Sequence, residues 1–241
     1  LKLDTCVAMT QGSIGYWLQN ALTNEFEKRN IAKPVISVVT QVRVDKEDPS
    51  FKKPSKPIGP FYTKEEADAE AAKDGSTYVE DAGRGYRKVV PSPMPKEIVE
   101  KEAVRALVEA DVLTICSGGG GIPVVAEDGQ YVGVEAVNDK DFSARVLAEN
   151  VDADRLIILT GVDNIYINYN QPDQKALEQI SVAEAEEYIK EGHFAAGSML
   201  PKIEAALDFV KGDDKRKAII TSIENLENID KEAGTVISQK G

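Results

Sequence analysis

The chain has 241 residues, 42% hydrophobic and 29% charged, with 29 Lys+Arg against 41 Asp+Glu and a formal charge of −12. That balance belongs to a globular protein long enough for one large α/β domain, and it excludes a disordered or fibrous chain. It also argues against general nucleic-acid binding, which needs positive surface to displace phosphate counterions. No run approaches the ~18 apolar residues of a membrane span, and no charged-then-apolar signal segment opens the chain. The expectation is a cytoplasmic protein with neither nucleic acid nor membrane as partner.

The chain begins at Leu1 and enters a helical pattern almost at once, with Ile14, Leu18, Ala21, Leu22 and Phe26 at three-and-four spacing. Parallel α/β folds normally open with a strand, so an upstream segment is expected to be missing. Cys6 and Cys116 lie far apart in hydrophobic stretches, in no metal or redox spacing, and read as small core residues. Residues 34–42 are β-branched and predict one buried strand. Residues 45–95 hold seven of the eleven prolines. Proline lacks the ladder donor, so this stretch predicts an inserted, protruding subdomain of short strands with one helix near 63–73.

The core then resumes. A helix is predicted over 96–110 with Ile98, Val99, Ala103, Leu107 and Val108 on one side, and a strand over 111–116 running into Ser117 and four glycines. A hairpin turn near 129–132, a helix over 141–150 and a buried strand over 154–160 follow. Ser181 and Glu184 form a capping box for a helix ending near Lys190. Another helix follows Ser198, and strands cover 217–221 and 234–238. Helices alternating with apolar strands predict an α/β fold, a three-layer αβα sandwich on a mostly parallel open sheet, with residues 1–241 as one domain around the 45–95 insertion.

Three places could carry chemistry. Gly118, Gly119, Gly120 and Gly121, just after a buried strand, can offer backbone N–H groups to a phosphate or carboxylate. No Gly-Lys-Ser/Thr follows and no helix opens at Ile122-Pro123, so neither a P-loop nor a dinucleotide fingerprint is present, and a plain flexible turn stays open. In Asp139-Lys140-Asp141, at a helix mouth, Lys140 can face a phosphoryl group with an aspartate orienting it, or the three can be a solvated cluster. Ser198 is a natural N-cap with Pro201 in the first turn; that helix start can bind phosphate with Lys202 adding charge, or can be an ordinary capped helix. Two lysines near helix starts and a glycine loop, with neither Ser-His-Asp nor zinc spacing, favour phosphoryl transfer by electrostatic clamping. The sole histidine, His193, reads as part of a packed loop.

Several segments together resemble the carbamate kinases of the amino-acid kinase superfamily. They include Met9-Thr10-Gln11-Gly12-Ser13-Ile14-Gly15-Tyr16, Lys56-Pro57-Ile58-Gly59-Pro60-Phe61 and Glu80-Asp81-Ala82-Gly83-Arg84-Gly85-Tyr86-Arg87. Leu3-Asp4-Thr5-Cys6, Thr40-Gln41-Val42, Val89-Val90-Pro91-Ser92-Pro93, the glycine loop, Asp139-Lys140-Asp141 and residues 192–202 complete the set. The resemblance implies reversible phosphoryl transfer between MgATP and carbamate, giving ADP and carbamoyl phosphate, run toward ATP at the end of arginine breakdown. It implies that Lys140 and Lys202 neutralise the transferring phosphoryl, that Asp141 orients them, and that Lys56 reaches in from the insertion. It assigns the nucleotide to Thr160, Gly161, Val162, Asp163, Tyr166, Ser198 and Met199, and it implies a homodimer, for which Gly12 and Gly15 on the first helix permit close packing, although that helix can equally pack on its own sheet. Magnesium enters with ATP, since no metal motif is visible. The family's opening strand, Gly-Gly-Asn-Ala loop and Gly-Asn-Gly-Pro segment have no counterpart, so the chain is expected to lack the family's first quarter and to be impaired alone. The alternatives are a kinase for another carboxylate and a non-catalytic nucleotide-binding or assembly module.

Overall fold

A computed structural model describes every residue except Ala82; that member of the Glu80-to-Arg87 motif lies outside the described residues. The chain divides into two compact units, 1–143 and 144–241.

The first unit opens with helix α1 (Leu3–Arg29), closed by Asn30 in the left-handed conformation. Only Gln11 and Gly15 of this helix are buried. Ile14 and Leu18, two of the residues whose spacing marked the helix, are 46% and 49% exposed. The reason is close approach through a small residue: a Cβ on Gly15 would lie 2.0 Å from Ser37 Oγ. Gly12 has nothing within 4 Å.

The single strand predicted over 34–42 is two, β1 (Val35–Ser37) and β2 (Gln41–Val44). Strand β1 pairs in parallel with a later strand at Leu113, whereas β2 pairs in parallel at Ile122 and antiparallel at Ile98. The break comes at the fully buried Thr40, where the Gln11 side-chain amide bonds the backbone on both sides, accepting from its N–H at 2.8 Å and donating to its C=O at 3.1 Å.

Within residues 45–95, β3 (Lys56–Tyr62), α2 (Lys64–Asp74), β4 (Thr77–Glu80) and β5 (Tyr86–Val90) form an antiparallel sheet in the order β3-β5-β4, with short strands and an α-helix where they were expected. Pro57 and Pro60 fall on β3, an edge strand, where a missing donor is tolerated. Thr63 and Glu66 form a capping box at the start of α2.

Residues 95–98 are strand β6 (Pro95–Ile98), and helix α3 begins only at Lys101 and runs to Glu109. Ile98 pairs with Val42, both fully buried, and this sheet burial overrides the helical spacing read across 96–110. Strand β7 (Leu113–Ile115) leads into a 3-10 turn at the glycines, and β8 (Ile122–Glu127) and β9 (Gln130–Gly133) form a hairpin. Asp128 and Gly129 at its tip both have positive φ, 49° and 77°, as a tight hairpin turn requires. Helix α4 (Lys140–Asn150) carries the chain across the unit boundary.

The second unit contains β10 (Arg155–Thr160), β11 (Ile165–Ile167), β12 (Lys175–Leu177), β13 (Gln179–Ser181), α5 (Val182–Lys190), α6 (Met199–Val210), β14 (Lys217–Ser222) and β15 (Thr235–Ser238). Its sheet runs β10-β14-β15-β13, and α6 packs Ile203, Ala206 and Phe209 into a core with Ile220 and Ile237. Strand β10 is buried on one face only: Ile157 and Leu159 are each 39% exposed. Both cysteines are partly buried and neither is a core residue.

The α/β class expected from the alternation holds. The ladders are mixed: every parallel pair has an α-helix between its strands, and the remaining pairs are antiparallel.

Candidate active site

The glycine loop is held from beneath. Thr40 Oγ1 accepts the Ser117 N–H at 2.9 Å and donates to the Val38 carbonyl at 2.9 Å, so Gln11, Thr40 and Ser117 form a chain of bonds from α1 to the loop. Asn138 Nδ2 and Ser143 Oγ both donate to the Gly120 carbonyl, at 3.1 and 2.8 Å. Gly120 has φ +100°, and a Cβ there would lie 2.7 Å from the Asn138 carbonyl; at Gly121 it would lie 2.3 Å from Val42 Cγ2. These two glycines are buried and used by the fold, with N–H groups bonded to Ser117 and Gly118. Gly118 and Gly119 are exposed and form the part of the loop a ligand can reach. Two buried oxygens beside it, Ser117 Oγ and Asn138 Oδ1, have no hydrogen-bond partner among the described residues.

The loop leads on to the start of α4. Asp139 caps this helix, its Oδ1 accepting the Asp141 N–H at 2.9 Å and its backbone carbonyl accepting Ser143 N–H at 3.0 Å. Its Oδ2 lies 2.7 Å from Nζ of Lys56, the first residue of β3. Burial pushes the Asp139 carboxyl up, but the hydrogen bond and charge of Lys56, the Asp141 amide and the Lys140 charge outweigh it and hold the group below its ordinary value. Lys140 is 66% exposed, and its Nζ is 3.8 Å from the buried Asp141 carboxylate. The structure therefore brings Lys56, Lys140, Asp141 and the glycine loop into one unit, and it makes Asp139 the partner of Lys56. Sequence reading did not assign Asp139, because a pairing across 83 residues leaves no local signal.

In the second unit a cavity of about 610 Å³ lies beside the C-terminal end of β10. Thr160, Gly161, Val162, Tyr166, Ser198 and Met199, six of the seven residues assigned to the nucleotide, line it. Asp163 does not: its carboxylate accepts a hydrogen bond from Ser222 Oγ at 2.5 Å and ties the turn to β14. The cavity volume is of the size that takes a small organic ligand, and Val162, Tyr166, Phe194 and Met199 give it apolar walls. Asn168, Gln171 and His193 add polar groups that spacing alone did not mark. His193 Nε2 lies 3.0 Å from Glu191 Oε2, and its ring stands edge-on to Tyr188. Ser198 occupies the N-cap of α6 without a side-chain capping bond. Lys202 is in the first turn, partly buried.

Among the described residues no three His, Cys, Asp or Glu side chains are grouped to hold a metal, and no helix is long and apolar enough to cross a membrane.

Residues 61–222 match the amino acid kinase family. The chain is 58% identical to carbamate kinase 1 of Enterococcus faecium over 241 residues, covering 99% of this chain and 77% of that protein. It is 55% identical to a carbamate kinase of Lentilactobacillus hilgardii, covering 100% of this chain and 76% of that protein. Its fold superposes on the carbamate kinase of Giardia lamblia bound to AMP-PNP with a TM-score of 0.89 and 44% identity, covering 99% of this chain and 76% of the other. Likeness of this degree, in sequence and in fold, across nearly every residue leads to one conclusion: the chain belongs to the amino acid kinase family and, within it, to the carbamate kinases.

Proposed function

We propose that the protein catalyses reversible phosphoryl transfer between ATP and carbamate. A carbamate oxygen attacks the γ-phosphorus of ATP, the bond from phosphorus to the β-bridging oxygen breaks, and ADP and carbamoyl phosphate result; in reverse, a β-phosphate oxygen of ADP attacks carbamoyl phosphate and carbamate leaves. Negative charge spreads over the transferring oxygens, so catalysis rests on positioned positive charge and N–H donors. The single observation that carries this reading is the group of Lys56, Lys140 and the exposed glycines gathered around the start of α4. Lys140 and Lys202 neutralise the transferring phosphoryl, Asp141 orients them, Lys56 joins from the insertion, and Gly118 and Gly119 donate N–H bonds.

The cavity of the second unit takes the nucleotide, with the base against Tyr166 and Met199. Magnesium arrives on the nucleotide phosphates, whose charge it offsets, and no protein cage for it is part of the reading. Residues 45–95 act as an inserted subdomain within one kinase domain. The same reading has the enzyme making ATP at the end of arginine breakdown, in the cytoplasm, as a homodimer. Met9 and Tyr16, 59% and 64% exposed on α1 to either side of the open Gly12, support a face for a second copy. Light scattering behind size exclusion checks this, with twice the chain mass expected.

ATP formation from carbamoyl phosphate and MgADP tests the activity. Lys140→Ala is expected to lower kcat by about 10²–10³ with the nucleotide still bound, the usual cost of one lost charge-stabilising donor. Nucleotide binding with no turnover of any acyl phosphate, by a chain completed with the family's first quarter, would favour a binding module instead.

A further inference from the structure

The insertion is fastened at its base to the segment that starts α4, and it is fastened twice. Lys56 pairs with Val90 where β3 and β5 leave the core, and the next residue after β5, Pro91, accepts the Val137 N–H at 3.0 Å. Two residues beyond Val137, Asp139 holds Lys56 Nζ at 2.7 Å. The Asp139 carboxylate cannot turn freely, because its other oxygen is committed to the Asp141 N–H. With side chains 33% and 17% exposed, the Lys56–Asp139 pair is more enclosed than most surface ion pairs, whose charges water largely screens. A lysine has four rotatable bonds, and a fixed carboxylate is what removes that freedom before substrate arrives.

We propose that Asp139 is a positioning residue for the reaction: from the N-cap of α4 its free oxygen holds the Lys56 ammonium, so that Lys56 and Lys140 are offered to the transferring phosphoryl from a single helix start. The proposal rests on the role given to Lys56 above. It differs from a capping role in one testable way. Asparagine caps a helix about as well as aspartate but carries no charge for a lysine.

The experiment compares Asp139→Asn, Lys56→Ala and the double variant, with Asp139→Ala as the variant that loses the cap too. Lys56 labelling by an amine-acylating reagent, mapped by mass spectrometry, is read beside kcat, KM and the melting temperature. In Asp139→Asn the melting temperature is expected to stay within about 2 °C, as for any change well under 1 kcal/mol in a chain of this size. Lys56 is expected to label several-fold faster, and kcat to fall about 10- to 100-fold with KM for ADP unchanged, the cost of a catalytic group displaced by about an ångström. The double variant is expected to be no worse than Lys56→Ala.

Unchanged Lys56 labelling in Asp139→Asn overturns the proposal, and labelling alone decides if turnover is too slow to follow. So does an Asp139→Asn loss that adds in full on the Lys56→Ala background, or one that follows the melting temperature across the Asn and Ala variants. If Lys56→Ala leaves kcat intact, the role given to Lys56 fails and takes this proposal with it. If Lys56→Ala lowers kcat and Asp139→Asn does not, only this proposal fails.

Discussion

Gly119 and Gly120 are neighbours with the same side chain and opposite tolerance. At Gly119, φ is +66° and a Cβ would meet nothing within 4 Å, so alanine there pays only the left-handed backbone cost, about 1–2 kcal/mol. At Gly120, φ is +100° and the Cβ would press into the Asn138 carbonyl at 2.7 Å, on the backbone that leads to Asp139. Gly120→Ala is therefore expected to cost clearly more than Gly119→Ala in urea unfolding, about 3 kcal/mol or beyond; equal midpoints would show that the loop accommodates a side chain. The glycine run was legible in the sequence, but its division into two exposed and two buried members was not, because Val42 and Asn138 reach it only through the fold. Cys116, read from its sequence context as a core residue, is only partly buried, yet that burial pushes its thiol up to about 11, which keeps it protonated at neutral pH.

Two serines that look alike as helix caps differ once the elements form. Ser181 accepts the Glu184 N–H and Glu184 reaches back to the Ser181 N–H, completing the box ahead of α5. Ser198 stands at the N-cap of α6 with φ −140° and ψ −79° and makes no such bond. Ser181→Ala is expected to lower stability by about 1 kcal/mol and Ser198→Ala to leave it nearly unchanged, both read from thermal unfolding. A fall at Ser198 equal to that at Ser181 would mean that the cap forms in solution. Elements with a local signature were legible in the sequence: the Ser181–Glu184 capping box, the hairpin turn beside Gly129, and the short strands and helix of the proline-rich stretch. Elements set by a distant partner were misread. Residues 95–98 follow a helical spacing yet form a strand because Val42 waits opposite Ile98, and 34–42 break where the Gln11 amide takes the Thr40 backbone.

Across the whole molecule the charge is −12, and several carboxylates are held below their ordinary values by hydrogen bonds and cations. Asp74 is lowered to about 2 by the Ser76 amide, Lys88 and the Ser76 hydroxyl. Glu97 is lowered by Lys101 and Arg43, and Asp139 by Lys56 against the effect of burial. A carboxyl depressed in the folded state contributes stability that is present above its unfolded value and lost as the pH falls through the folded one. Glu204, raised by burial, works in the opposite direction but is a single group. The unfolding midpoint is therefore expected to hold near neutrality and to fall as the pH drops from about 5 toward 2. Asp74→Asn is expected to flatten the lowest part of that fall; a midpoint independent of acid would show that these pairs persist in the unfolded chain.

By itself the sequence determined the α/β class, the short strands and helix of the proline-rich stretch, the family, and the residue types that phosphoryl transfer demands, because each of these is written in local spacing or in contiguous motifs. Only the tertiary structure decided that α1 packs through Gln11 and Gly15 and leaves Ile14 and Leu18 exposed, that Asp163 serves β14 and leaves the cavity to its neighbours, and that Lys56 belongs to Asp139. Each of these depends on which groups fold brings within a few ångströms across tens of residues, and distance of that kind has no trace in the order of the chain.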